Sequence, residues 1–314
     1  MATFSYPSLR SELAAQGLVF ELGIPGLPKP EENARAWCSR LIGAMAWFSS
    51  QSAHRYVWRG QRNADWPLQP RLNRHVAVTL GGTKLVDVTR AEREILRYVR
   101  HQKWDFREGQ RLSLLELLAV QQHHGVPTRL LDITRDPLVA AFFASGSGPD
   151  PGTEPDGAVV ALRVLPAEVG ERPGVPRATS LTKNLIFKPA SAPYALWNPP
   201  RLDARIITQR GEFLVPNLDA AAKNRDPYLP TRVMGIGVSN PRGSYTGKDI
   251  SAFFRNFLSA PVRGRPPDQP VEVAMIVIPK EFKSALRDYL SALGLIDQTI
   301  YPDQSGYASS FPPS

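Results

Sequence analysis

Apolar and polar positions divide the chain into helices with one buried stripe and short strands standing singly between helices and long loops. Residues 31–52 read as a helix behind Pro30, with Glu31 and Glu32 in its first turn. Residues 55–59 form a short strand ended by Gly60. Residues 61–86 read as irregular, since Trp66, Pro67 and Pro70 interrupt any regular element. Residues 87–104 make an amphipathic helix. Val88, Ala91, Ile95, Tyr98 and Val99 share one side, and Arg90, Arg93, Arg97 and Arg100 fall in one narrow arc on another. Ser113 and Glu116 form a capping box for a buried helix that reaches His124 and stops at Gly125.

The segment from Gly125 to Ala144 then packs a strand and a new helix start together. Asp132 and Thr134 fall on one face of the strand. Leu130 and Leu131 cannot share a face, so the strand is apolar on both sides and central. Asp136 caps the next helix with Pro137 at its first position. The Thr134-Arg-Asp136 turn thus lies at a strand end and a helix N-terminus, where ligand-binding groups gather.

Residues 145–157 read as a loop, 157–164 as a strand and 166–200 as Pro-rich and irregular. Residues 204–209 and 212–215 read as two strand pieces around Arg210-Gly211. Residues 217–270 are mostly irregular, with a helix at 250–258 and a Pro-rich loop at 259–270. A strand at 271–278, a helix at 279–294 and a last short strand and helix in 298–309 follow. Residues 1–30 read as a leader with a helical stretch at 9–16. There is no internal repeat. The order predicts one α+β domain, a mixed or mostly antiparallel sheet flanked by helices. It spans residues 51–308, with a helical appendage over 1–50 and a tail over 309–314.

The 314 residues, 42% of them hydrophobic, suffice for one large domain or two modest ones. No apolar run approaches the roughly 20 residues of a membrane helix, and no secretory signal is evident, so a cytoplasmic, non-membrane protein is expected. Cys38, the single cysteine, reads as a packing residue and excludes an intramolecular disulfide and a cysteine-rich zinc site. The net charge of +9 raises the prior for a nucleic acid, a membrane surface or a phosphorylated ligand. The four arginines of residues 87–104 form either a phosphate-gripping stripe or a solvated face neutralised by Glu92 and Glu94.

Gly-rich phosphate loops, paired metal-ligand motifs and the G-x-S-x-G elbow are missing, and no metal is expected. His123 and His124 sit at a helix C-terminus, either as a cap or as ligand contacts. Three polar sets lie at strand ends beside glycine: Arg59-Gly60-Gln61, Asp132-Ile-Thr134 and Gln209-Arg-Gly-Glu212. Together they can hold a phosphate, a ribose and a developing cation. The alternative is a buried pair of Arg59 or Arg129 with Asp132 serving the fold.

Trp58-Arg59-Gly60-Gln61, Trp66-Pro-Leu-Gln-Pro-Arg-Leu72, Gln122-His123, Gly125-Val-Pro-Thr-Arg-Leu-Leu-Asp132, Thr134, Pro137-Leu-Val-Ala140 and Phe143-Ala144 resemble the FRG domain family. Weaker similarity runs through Arg205 to Phe213 and resumes at Leu290–Gly294 and Tyr301-Pro-Asp303. Trp58 replaces the phenylalanine of the family's name, Ile133 a usual tryptophan and His124 a frequent aromatic. The order of Arg59, Thr134 and Glu212 is also similar to the ADP-ribosyltransferase pattern. That similarity implies an ADP-ribosyltransferase-like fold with NAD as substrate. It implies that Arg59 contacts phosphate or ribose, that Thr134 shapes the nicotinamide pocket, and that Glu212 stabilises an oxocarbenium-like transition state. Gly60, Gln61, His123, Thr128, Arg129, Asp132, Phe142 and Phe143 would contact the nucleotide. Two residues separate Gln209 from Glu212, which on a strand puts them on opposite faces unless Gly211 forms a bulge. Either is therefore the third site residue.

Three readings result, the plainest being that the motif is a folding signature only; the other two give it a function. One is an NAD-consuming effector, a toxin or phage-defence protein with a protein or nucleic-acid acceptor. The other is a non-catalytic nucleotide- or nucleic-acid-binding module using Arg55–Arg74 and the Arg90–Arg100 stripe.

Overall fold

The computed structural model describes residues 19–21, 30–49, 56–66, 68–80, 85–146, 154–164, 167–172, 184–192, 194–200, 203–218 and 273–303. The described residues open with β1 (Val19–Glu21), α1 (Pro30–Ser49), β2 (Tyr56–Gln61), α2 (Arg71–Leu80), α3 (Leu85–His101), β3 (Phe106–Arg107) and β4 (Gln110–Arg111). It continues with α4 (Leu114–His123), β5 (Leu131–Thr134), α5 (Pro137–Ala144), β6 (Gly157–Arg163), β7 (Glu168–Glu171), β8 (Leu185–Lys188) and β9 (Tyr194–Trp197). Then come α6 (Ala204–Thr208), β10 (Gly211–Pro216), β11 (Val273–Ile278), α7 (Lys283–Ala292) and α8 (Asp297–Ile300).

The main sheet runs β1-β11-β6-β2-β5-β10-β9. Only β1–β11 is parallel; the other neighbours are antiparallel. This is the α+β architecture expected from single strands between helices. β6 is buried over nearly its whole length, as an inner strand with both faces covered should be.

The helix around residues 114–123 follows its caps. Glu116 N donates to Ser113 Oγ and Ser113 N to Glu116 Oε2 at 2.8 Å, and Gly125 takes a φ of +82° just past the end. Asp136 accepts from Leu138 N at 2.9 Å and caps α5, with Pro137 in its first turn. Leu131 and Ile133 enter one hydrophobic cluster, and Leu130, just before the strand, enters another, but the second face of β5 itself carries Asp132 and Thr134, so β5 is apolar on one face and not on both as expected. The first cluster packs α1, α5 and α7 against β2, β6 and β11; in it Trp37 stacks on Phe282 with ring centroids 4.8 Å apart. Buried Cys38 belongs to the same cluster, and burial pushes its thiol up to about 11, as suits a packing residue. The second cluster joins α4 to β8, β9 and β10, and a third joins α2 to α3 through Leu72, Val76, Val88 and Ala91.

α5 lies directly on the sheet. A Cβ at Gly60 would stand 1.9 Å from the carbonyl oxygen of Ala140, and one at Gly157 would stand 2.2 Å from that of Ala144. The glycine after Arg59 therefore admits a helix backbone.

Further sequence expectations are corrected. The strand expected over 55–59 is not ended by Gly60 but runs through it to Gln61, paired with β6 throughout. Residues 71–80, read as irregular, form α2, which begins directly behind Pro70. Residues 166–200 hold β7, β8 and β9, the first two paired in a separate ribbon. Residues 204–208 are a helix and not a strand, because Asp203 accepts from Arg205 N at 2.7 Å and caps it. The helix expected over 279–294 starts as a 3₁₀ turn at Lys280–Phe282 before α7. The helical stretch at 9–16, the helix at 250–258, the loop at 259–270 and any strand in 304–309 lie outside the described residues. Among those described, no helix is long and apolar enough to cross a membrane.

Candidate functional site

β2 is paired along its full length with β6, but its ladder with β5 has one bridged pair, Trp58 with Thr134. Beyond that pair Arg59 fills the gap: its Nη1 donates to the main-chain oxygen of Asp132 at 2.7 Å and lies 3.9 Å from the Asp132 carboxylate. Burial lowers the Arg59 pKa, and the nearby Asp132 charge opposes that effect; an arginine so placed stays charged. Burial, and then the neighbouring Arg71, lower the pKa of Arg74, with the Asp132 charge opposing them. Gln122 Nε2 completes the surroundings of Asp132 with a 2.6 Å bond to Oδ1.

This split opens into a cavity of about 310 Å³. Its apolar walls are Trp58, Ile133, Phe143, Ile206, Phe213 and Tyr301; its polar groups include Arg59, Gln122, His123, Gln209 and Glu212. Members of all three polar sets named from the sequence thus meet here: Arg59 and Gly60 from β2, Asp132 and Thr134 from β5, and Gln209 and Glu212 from the turn into β10 and its start.

The individual groups differ in what they leave open. The Thr134 hydroxyl donates to Gln209 O at 2.6 Å and accepts from Asp136 N at 2.9 Å, so it ties the end of β5 to the turn before β10. Gln209 ends α6 and donates from Nε2 to Ile300 O at 3.1 Å. Arg210 then takes a φ of +46° and Gly211 begins β10. A helix-to-strand turn, and not a bulge, separates Gln209 from Glu212. Glu212 is 4% exposed. Its Oε1 accepts from Arg135 Nε at 2.5 Å, and its Oε2 is buried with no hydrogen-bond partner. A buried acceptor left open beside a cavity is a place for a ligand hydroxyl.

The rest of the predicted set divides in two. Gly60, His123, Asp132 and Phe143 line the cavity, whereas Gln61 and Phe142 line an adjoining one. Thr128 and Arg129 serve the fold. Thr128 Oγ1 donates to Gln122 Oε1 and accepts from Leu130 N, and Arg129 forms a buried two-bond pair with Glu92. Glu92 therefore faces inward and does not neutralise the arginine stripe. Arg90, Arg93, Arg97 and Arg100 line neither cavity; Arg90 pairs with Glu94 across 3.6 Å of exposed helix surface.

Sequence reasoning did not single out Gln122, Arg205 and Tyr301 as site residues. The Arg205 guanidinium lies 4.9 Å over the Tyr301 ring and bonds Asp303 Oδ1 at 2.8 Å. Burial raises the Tyr301 phenol above its usual pKa, with Arg205 opposing. His123 Nε2 lies 3.6 Å from Asp203 Oδ2. His123, Asp203 and Asp303 offer ligand atoms within 4.8 Å of one another, but Arg205 already holds the Asp303 carboxylate, so the group reads as an ion-pair network closing the α6 wall.

No curated protein and no solved structure matches the chain significantly. Residues 54–151, which run from β2 through α5 and carry Arg59 and Thr134 but not Glu212, match the family model of the FRG domain, and the chain therefore contains an FRG domain.

Proposed function

We propose that the cavity between β2, β5 and β10 binds NAD and that the protein is an ADP-ribosyltransferase-like or NAD-glycohydrolase enzyme acting as a toxin or defence effector. The observation that carries this reading is the open, buried Oε2 of Glu212 on the strand following those of Arg59 and Thr134. Arg59 supplies a fixed cation for a phosphate or ribose oxygen. Arg135 orients the Glu212 carboxylate, leaving Oε2 for a ribose hydroxyl and for the charge that develops when the bond from ribose C1 to nicotinamide breaks. An acceptor nucleophile, or water, then forms a new bond at C1 and releases its proton. Phe143, Phe213 and Tyr301 supply apolar and stacking surface and exclude water.

The test is nicotinamide release from NAD by wild type, Arg59→Ala and Glu212→Gln, each checked for folding. Release that Glu212→Gln lowers by about two to three orders of magnitude supports the reading. Release unaffected by either change overturns it. No release with water, nor with added protein or nucleic-acid acceptors, favours a binding module instead.

A further inference from the structure

A second cavity, about 340 Å³, adjoins the first; Arg59, Gly60, Phe143 and Tyr301 line both. Its charged lining is all cationic: Arg59, Arg62 and Arg287. Arg287 comes from α7, far outside the family match, and belongs to no motif visible in the sequence. Its guanidinium carbon sits 3.9 Å over the Phe142 ring, a cation–π contact that holds the group at the cavity. Its Nη1 is buried without a hydrogen-bond partner, and so is Nε of Arg59. Arg62 lies 5.1 Å over Trp66. Buried Lys283 donates to the main-chain oxygens of Arg62 at 2.7 Å and Gly146 at 3.3 Å, and so pins two rims of the cavity together.

Two buried N–H donors without acceptors are a standing cost that a ligand bearing oxygen acceptors removes. Three guanidinium groups lining one recess favour an anion, and their forks match phosphoryl oxygens. We propose that this cavity is a phosphoryl subsite in which Arg62 and Arg287 hold the diphosphate of a nucleotide whose ribose end enters the first cavity. The choice of nucleotide rests on the function proposed above; the anionic character of the subsite rests on the arginines alone.

The test is calorimetric titration of the full chain with ADP and with adenosine. ADP should bind at least about tenfold tighter than adenosine, and R287Q and R62Q should each remove most of that preference. R62Q, at an exposed position, keeps the test decisive if R287Q does not fold. ADP binding no tighter than adenosine, or ADP binding unchanged in the variants, overturns the subsite. Nicotinamide release without an ADP preference would discard the subsite and keep the enzyme. An ADP preference dependent on Arg62 and Arg287 without nicotinamide release would keep the subsite and discard the enzyme.

Discussion

Arg59 donates to the main-chain oxygen of Asp132 where the β2–β5 ladder has opened, so a guanidinium takes the place of a backbone amide. Arg59 therefore holds the fold and faces a ligand site at once. Arg59→Ala should cost about 1–3 kcal/mol by leaving that carbonyl unsatisfied. Arg59→Lys should recover most of this, because an ammonium can reach the same oxygen. Both variants should lose ADP affinity, since neither keeps the second N–H edge. Denaturant unfolding beside ligand titration separates the effects; full ligand affinity in Arg59→Lys would leave the Nε edge without a role.

Thr134 is a positioning residue. Thr134→Val removes the donor to Gln209 O and the acceptor for Asp136 N, and should destabilise the protein by about 1–3 kcal/mol. Thr134→Ser keeps both bonds and should stay near wild type in urea unfolding. Equal losses in the two variants would point to the methyl group and its packing.

Gly60→Ala should be far more damaging than its size suggests. The added methyl meets the Ala140 carbonyl at 1.9 Å, so α5 or β2 must move. Overpacking of this kind costs about 3 kcal/mol or more. A melting curve or soluble yield near that of wild type would show that α5 shifts easily.

Breaking the buried Arg129–Glu92 pair should destabilise by about 3–5 kcal/mol through the charge left behind. Glu92→Gln and Arg129→Met would each show this in equilibrium unfolding. The double change should recover part of the loss, as replacement of both charges does elsewhere. Additive losses would argue against a mutually compensating pair.

The segment from Ser113 to Ala144 was legible because local chemistry decides it. The capping box, Gly125, Asp136 and Pro137 each fix backbone geometry without distant partners. Residues 204–208 were not, because Ile206, Ile207 and Thr208 favour a strand by type, and the Asp203 cap with Arg210 at positive φ decides otherwise. β7 to β9 were hidden among prolines, each too short to show a period. Thr134 and Glu212 could be named in advance because they stand at strand ends beside turns, and Arg59 because a glycine follows it, although that glycine lies inside β2 and does not end it. Their division of labour could not, since the partners of Thr134 and Gln209 depend on the α6 turn and on Ile300. Arg287 becomes visible only when α7 packs over Phe142.

Gly60 and Gly157 lie far apart in sequence, yet both sit beneath one short helix that carries Phe142 and Phe143. Phe143 walls both cavities, so its height above the sheet governs their widths. The calibre of the site is thereby set by two missing methyl groups, and a chain with alanine at either position would have to rebuild the opening as well as the packing.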